Sequence, residues 1–395
     1  MTRRRFLTSG ALAAGTGLLG VAAPAWAQSL AQRAAGLSDR VLVLVELKGG
    51  NDGLNTVVPY QDDTYYRLRD TIAIRREDVL PIDSRVGLHP ALADLLPLWE
   101  KGELAVVQGV GYPQPNLSHF RSIEIWDTAS KSSEYLSDGW VARAMQAGYG
   151  ERASFTTQGV LVGGGDAGVF AGGRAIRLNN PEAFVNQAVL AAPRRIEGNP
   201  ALQHLLRLED DVSQAAQGLR APRVAFQGAF PDGAFGNALR AVAQVLASQR
   251  GRAGVPVLVV SLGSFDTHQN QLPQHANLLR QLATGISALR AALTEIGAWD
   301  RTLVMTFSEF GRRARQNGSN GTDHGTAAPN FIAGGAVRGG LWGKAPDLQL
   351  LDENHNLRHS TDFRQLYATV ARDWWGIDAR RVLRGDFEPI PFLRE

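Results

Sequence analysis

Carboxylates and imidazoles recur in this chain where apolar runs end. Val41–Leu47 leads into Gly49-Gly50-Asn51-Asp52, Val255–Leu262 into Phe265-Asp266-Thr267-His268, and Thr302–Phe307 into Ser308-Glu309. A fourth pair, Asp323-His324, sits in a loop bounded by Gly318, Gly321 and Pro329. Acids with one or two imidazoles are a donor set for a hard or borderline divalent cation such as Zn, Ca, Mg or Mn. Asp52, Asp266, His268, Glu309, Asp323 and His324 are therefore the candidate metal ligands. Plainer roles are open for each. Asp52 could cap a turn or helix, Asp266 and His268 could be a solvated loop pair, and Glu309 could pair with Arg312, Arg313 or Arg315. His275 is a reserve ligand, and His89, His204, His355 and His359 read as surface or core histidines.

Two further features bear on an anionic substrate. Ser118, in Pro115-Asn116-Leu117-Ser118-His119-Phe120-Arg121, carries a hydroxyl that a nearby cation could activate as a nucleophile; Asn116 or Ser118 could instead only cap the helix suggested over 119–128. Arg121 and Arg312 are candidates to bind the anion by forked hydrogen bonds. No Gly-x-Ser-x-Gly elbow or Walker A segment occurs, which argues against a metal-free serine hydrolase and a P-loop nucleotide site; Gly163-Gly164-Gly165 after Val160–Val162 invites a dinucleotide reading but opens no recognisable strand-to-helix unit.

Strands alternating with helices would position these groups. Val41–Leu47 is apolar throughout, as in a strand buried on both faces. Leu104–Val107, Ala253–Leu262, Thr302–Phe307 and Asn330–Ala333 read as further strands. Leu279, Leu282, Ile286, Leu289, Leu293 and Ile296 mark a long amphipathic helix stopped at Gly297. Phe363, Leu366, Val370 and Trp374 mark a closing helix capped at Thr361 or Asp362. The pattern predicts an α/β fold, doubly wound, with a mostly parallel sheet and helices on both faces. Residues 114–222, rich in Gly, Ala and Asn, read as a small cap or insertion. Ligands bind such sheets outside the carboxyl ends of the strands, where the acids lie.

The first residues read as an export segment. Arg3-Arg4-Arg5-Phe6-Leu7 precedes a Gly-rich, weakly apolar stretch and Ala25-Trp26-Ala27, a small-x-small cleavage site. The paired arginines address the chain to the Tat translocase, which implies a periplasmic or secreted protein. The apolar stretch falls short of the about 20 residues a membrane anchor needs. Residues 28–395 then form one domain. Without residues 1–27 the chain carries 38 basic and 38 acidic residues, so no basic excess points to nucleic acid or a membrane surface. Cysteine is absent, which excludes disulfides and thiolate metal sites.

Several segments together resemble the family of exported proteins known as domain of unknown function 1501. They are 46–55, Asn116-Leu117-Ser118-His119-Phe120, Phe265-Asp266-Thr267-His268, Ser308-Glu309-Phe310-Gly311-Arg312, Thr322-Asp323-His324-Gly325-Thr326 and 361–367. That family is similar to the alkaline phosphatase and sulfatase superfamily. The resemblance implies a divalent metal at the strand ends and hydrolysis of phosphate or sulfate esters through a Ser or Thr nucleophile. Under it, Asp52 matches the first-strand metal aspartate, Ser118 the nucleophile, Asp266 and His268 an Asp followed by a His, and His324 the last metal histidine. The chain departs in two places. Glu309-Phe310 stands where the superfamily has Asp-His, and Asp266 and His268 are two apart where alkaline phosphatases commonly have four. These departures leave open a single metal, a harder metal or a lost activity. The expectation is an exported metal-dependent hydrolase of anionic esters, using Ser118 or a metal-bound water. The alternative is a non-catalytic periplasmic scaffold of the same fold.

Overall fold

The computed structural model describes residues 39–148, 157–178, 224–249 and 255–394. The export segment, and residues 149–156 and 179–222 of the expected insertion, lie outside them. Residues 38–395 form one compact unit.

Among the described residues the main sheet has nine strands: β1 (Val41–Leu47), β2 (Leu104–Gly111), β3 (Gly159–Val162), β4 (Ala175–Leu178), β5 (Val257–Leu262), β6 (Thr302–Phe307), β7 (Ala328–Ala333), β8 (Gly340–Gly343) and β9 (Thr361–Asp362). Their order is β8-β2-β7-β6-β1-β5-β3-β4, with β9 alongside β2. Every pairing is parallel except those of β7, which runs antiparallel to β6 and β2. Residues 159–178, inside the stretch read as an insertion, thus extend the main sheet by two strands, with β4 at its edge.

Strand β1 is at the centre, and its side chains alternate between two cores, as a period of two requires. Val41, Val43, Val45 and Leu47 join the layer that holds helices α3 (Ala234–Ser248) and α4 (Gln271–Glu295). Leu42 and Leu44 join the opposite layer, with α1 (His119–Thr128), α2 (Trp140–Gly148) and α5 (Phe363–Thr369). The stop at Gly297 is a left-handed residue (φ +65°). Asp362 caps α5 by a capping box with Gln365.

One reversed strand has a large effect on the site. The carboxyl ends of β1, β2, β5 and β6 share one edge of the sheet. Because β7 runs the other way, the loop before it, with Asp323 and His324, reaches that same edge. Gly49 (φ +121°) lets the end of β1 press against the end of β5: a Cβ there would lie 2.4 Å from the Asp266 nitrogen.

A buried polar network underlies this edge. Asp52 Oδ1 and Oδ2 accept from Arg69 Nη2 and Nη1 at 2.8 and 2.5 Å. Arg69 also donates to the carbonyls of Ala314 and Arg313. Gln271, opening α4, donates to Asp52 and accepts from Thr267 and Thr322. Burial opposes the Asp52 carboxylate, and Arg69 outweighs it, holding its pKa below the usual value. Replacing Arg69 with Met should strand that charge and cost about 3–5 kcal/mol in urea unfolding; a loss under about 1 kcal/mol would reject this role.

His275 and His89 lie beside the network, and burial lowers their pKa values to about 3 and about 4. Both imidazoles are neutral when folded and take protons near 6.5 when unfolded. Their contribution is complete above about pH 6.5 and is lost as pH falls toward the folded values. Unfolding free energy should drop by roughly 2–3 kcal/mol between pH 7 and 5.5, and His275→Gln should make that slope shallower.

Candidate metal centre

Four side chains from three segments, the start of α1, the loop after β5 and the loop before β7, converge at the carboxyl edge. Asp266 follows β5, and its Oδ1 lies 3.0 Å from His268 Nε2 and 3.1 Å from His324 Nε2. The two Nε2 atoms are themselves 3.0 Å apart. His119, the first residue of α1, brings its Nε2 to 3.6 Å from Asp266 Oδ2. Ligand atoms of His119, Asp266 and His324 all lie within 4.8 Å of one another.

The other nitrogen of each ring is committed. His119 Nδ1 is 2.7 Å from Glu309 Oε1, His324 Nδ1 is 2.9 Å from the Leu117 carbonyl, and His268 Nδ1 is 3.4 Å from Asp323 Oδ1. A carbonyl or ionised carboxylate only accepts, so each Nδ1 carries hydrogen. With Nδ1 protonated, each ring can present a bare Nε2 to a cation, and three such Nε2 atoms face one carboxylate. Lone pairs 3.0 Å apart, as on His268 and His324, repel unless a proton or cation lies between them. Imidazole nitrogens oriented by outer acceptors, beside a carboxylate, suit a borderline divalent metal. The residues fit that group.

The electrostatics follow from these contacts. The hydrogen bond to Glu309 raises the His119 pKa above its ordinary value. Burial acts against the Asp266 carboxylate, but Arg312 and the imidazoles outweigh it and lower its pKa. Asn317 donates to Asp323 and lowers its pKa likewise.

The sequence-derived candidates sort into three groups. Asp266, His268 and His324 come together. Glu309 and Asp323 reach the centre through the rings they orient: Glu309 is buried and also accepts from the Gly49 N–H. Asp52 is outside, because Arg69 and Gln271 occupy both its oxygens. His275 is outside as well, donating to Asn51 in the buried network. Arg312 does not face a substrate. Its side chain has no exposure, and its donors go to the carbonyls of Gly49, Gly50, Phe265 and Thr322 and to Asp266. Arg121 is buried as well, its Nη2 donating to the carbonyls of Lys131, Ser132 and Glu134 and its Nη1 paired with the Glu124 charge. Ser118 is exposed at the N-cap of α1, with no side-chain cap bond. It sits between Leu117, whose carbonyl holds His324, and His119.

His119 is the member the sequence reading missed. Phe310 occupies the place where a further imidazole was expected, and its ring lies 4.8 Å from that of His119 and 4.6 Å from that of His324. The imidazole comes instead from the end of β2. The available signal was its position beside Ser118, but spacing alone could not separate a ligand from a first helical residue.

An open α/β sheet with an Asp-and-His cluster on its carboxyl edge defines an α/β protein with a candidate metal centre. The chain belongs to the family described as "Protein of unknown function (DUF1501)", matched over residues 105–386. No curated protein matches it. Among solved structures it is similar to Ps i-CgsB in complex with k-i-k-neocarrahexaose, at 10% identity and TM-score 0.43, covering 88% of this chain and 75% of that one. It is also similar to the phosphonate monoester hydrolase SpPMH from Silicibacter pomeroyi, at 13% identity and TM-score 0.39, covering 90% and 76%. A third is a protein in the alkaline phosphatase superfamily from Vibrio parahaemolyticus, at 10% identity and TM-score 0.37, covering 87% and 68%. Among the described residues no helix is long and apolar enough to cross a membrane.

Glu309→Gln removes the charge that holds His119 Nδ1 and should weaken zinc binding about tenfold or more in a chelator competition titration. It should also move the acid loss of binding to lower pH, because the raised His119 pKa derives from that carboxylate. Ser118→Ala should leave zinc affinity unchanged.

Proposed function

We propose that this protein is an exported, metal-dependent hydrolase of phosphate or sulfate esters. The observation that carries the reading is the convergence of three imidazole Nε2 atoms on Asp266, each ring oriented through its Nδ1. His119, His268, His324 and Asp266 would hold one divalent ion. Phe310, packed on two of the rings, supports one ion over two. When bound, such an ion polarises an ester oxygen and lowers the pKa of a nearby hydroxyl or water.

The chain's own residues supply the rest. The first N–H groups of α1 lack intrahelical acceptors and carry the positive end of the helix dipole, which suits a tetrahedral anion. Ser118, at that helix end and free of a capping bond, would be the nucleophile. Its oxygen would form the new bond to phosphorus or sulfur as the ester oxygen departs, and water would later release the group. Glu309 and Asp323 keep the rings in one tautomer throughout.

The reading is tested on the mature chain reloaded with zinc or manganese and offered aryl phosphates and aryl sulfates. Turnover should depend on added metal, and Asp266→Asn and His324→Ala should each reduce it at least about 100-fold. Ser118→Ala should remove turnover while keeping the metal; unchanged turnover would leave water as the nucleophile. Metal bound stoichiometrically without any turnover would favour the scaffold alternative.

A further inference from the structure

Arg312 and Arg69 are spent on internal acceptors, and Arg121 is buried beside Glu124 and the carbonyls of Lys131, Ser132 and Glu134, so none is available to an incoming anion. Lys48 differs. It directly follows β1, and its carbonyl accepts the N–H of Phe265, the residue before Asp266. The next N–H, that of Gly49, donates to the carboxylate that orients His119. The Lys48 backbone therefore adjoins the loops that carry Asp266 and Glu309. Its charge acts on Glu309 and Glu46, on the face of β1 toward α1.

The Lys48 ammonium makes a hydrogen bond 3.1 Å long to Asp166 Oδ2, with the two side chains 39% and 68% exposed. Exposed pairs of this kind contribute little. Asp166 is also carried on Gly163-Gly164-Gly165, where Gly163 and Gly165 have φ +82° and +141° and a Cβ on Gly164 would meet nothing. Arg177 donates to the carbonyls of Gly163 and Gly165 and holds that arm, but the Asp166 carboxylate at its tip is exposed, so an anion could displace it from Lys48 at small cost. A primary ammonium is a compact charge with three donors, suited to a tetrahedral oxyanion.

We propose that Lys48 binds the anionic group of the substrate, and that Asp166 holds its ammonium in reserve until that group arrives. The identity of the ligand, a phosphate or sulfate group, rests on the hydrolase reading; the role of Lys48 is tested without turnover. Inorganic phosphate and sulfate are titrated into the mature chain at low ionic strength, with one equivalent of zinc, by calorimetry. Lys48→Met should bind the anion at least tenfold more weakly, with unchanged melting temperature and zinc content. Lys48→Arg should stay within threefold of the parent, and Asp166→Asn should bind two- to fivefold more tightly. The proposal is overturned if Lys48→Met binds as the parent does, or if the parent binds neither anion. A parent that binds anions through Lys48 but turns over no ester upholds Lys48 and rejects the hydrolase reading.

Discussion

The centre depends on one buried guanidinium. Arg312 donates to Gly49 and Gly50 after β1, to Phe265 and Asp266 after β5, and to Thr322 before β7, while its own backbone continues from β6. A charge this deep is costly to bury unless its donors are met. Here each acceptor belongs to a loop that bears a site residue or holds one in place. The geometry that satisfies the cation is therefore the geometry that assembles the centre. Gly49 belongs to the same solution, because only a residue without a side chain lets two of these loops lie so close.

Two polar systems lie side by side at this edge and do different work. Asp52, Arg69, Gln271, Thr267 and Thr322 form a closed network whose members satisfy one another. The Asp266 cluster is open: its nitrogens are aimed by outer partners but not satisfied by them. Residue type does not separate the two systems; pairing does. An aspartate already matched by a fork-shaped cation has no lone pair to offer, whereas one held by a single contact, with its other oxygen facing an imidazole, does.

This explains what was legible in the sequence. The apolar runs and the acids at their ends gave the parallel sheet and its functional edge, because burial on both faces leaves a continuous hydrophobic signature. Asp266, His268 and His324 followed from that logic. The roles of the cations were not legible, since whether Arg312 meets a substrate or five internal acceptors depends on loops far apart in sequence. Asp52 was read as a ligand for the same reason, its partner Arg69 lying 17 residues on with no evident link to it in the sequence. His119 was hidden because β2 appeared to end early, at Val107, while the strand runs to Gly111 and carries the chain to the same edge.

The reversal of β7 also bears on how the molecule matures. His324, the last of the clustered imidazoles in the chain, belongs to a loop that is fixed only after β7 has inserted between β6 and β2, strands separated by about half of the chain. Such long-range pairing forms late because loop closure must come first. A growing polypeptide could display His119 and Asp266 well before the pocket between them existed. Tight capture of an ion would thus mark a chain whose sheet is already complete, and cofactor loading would serve as a readout of finished folding.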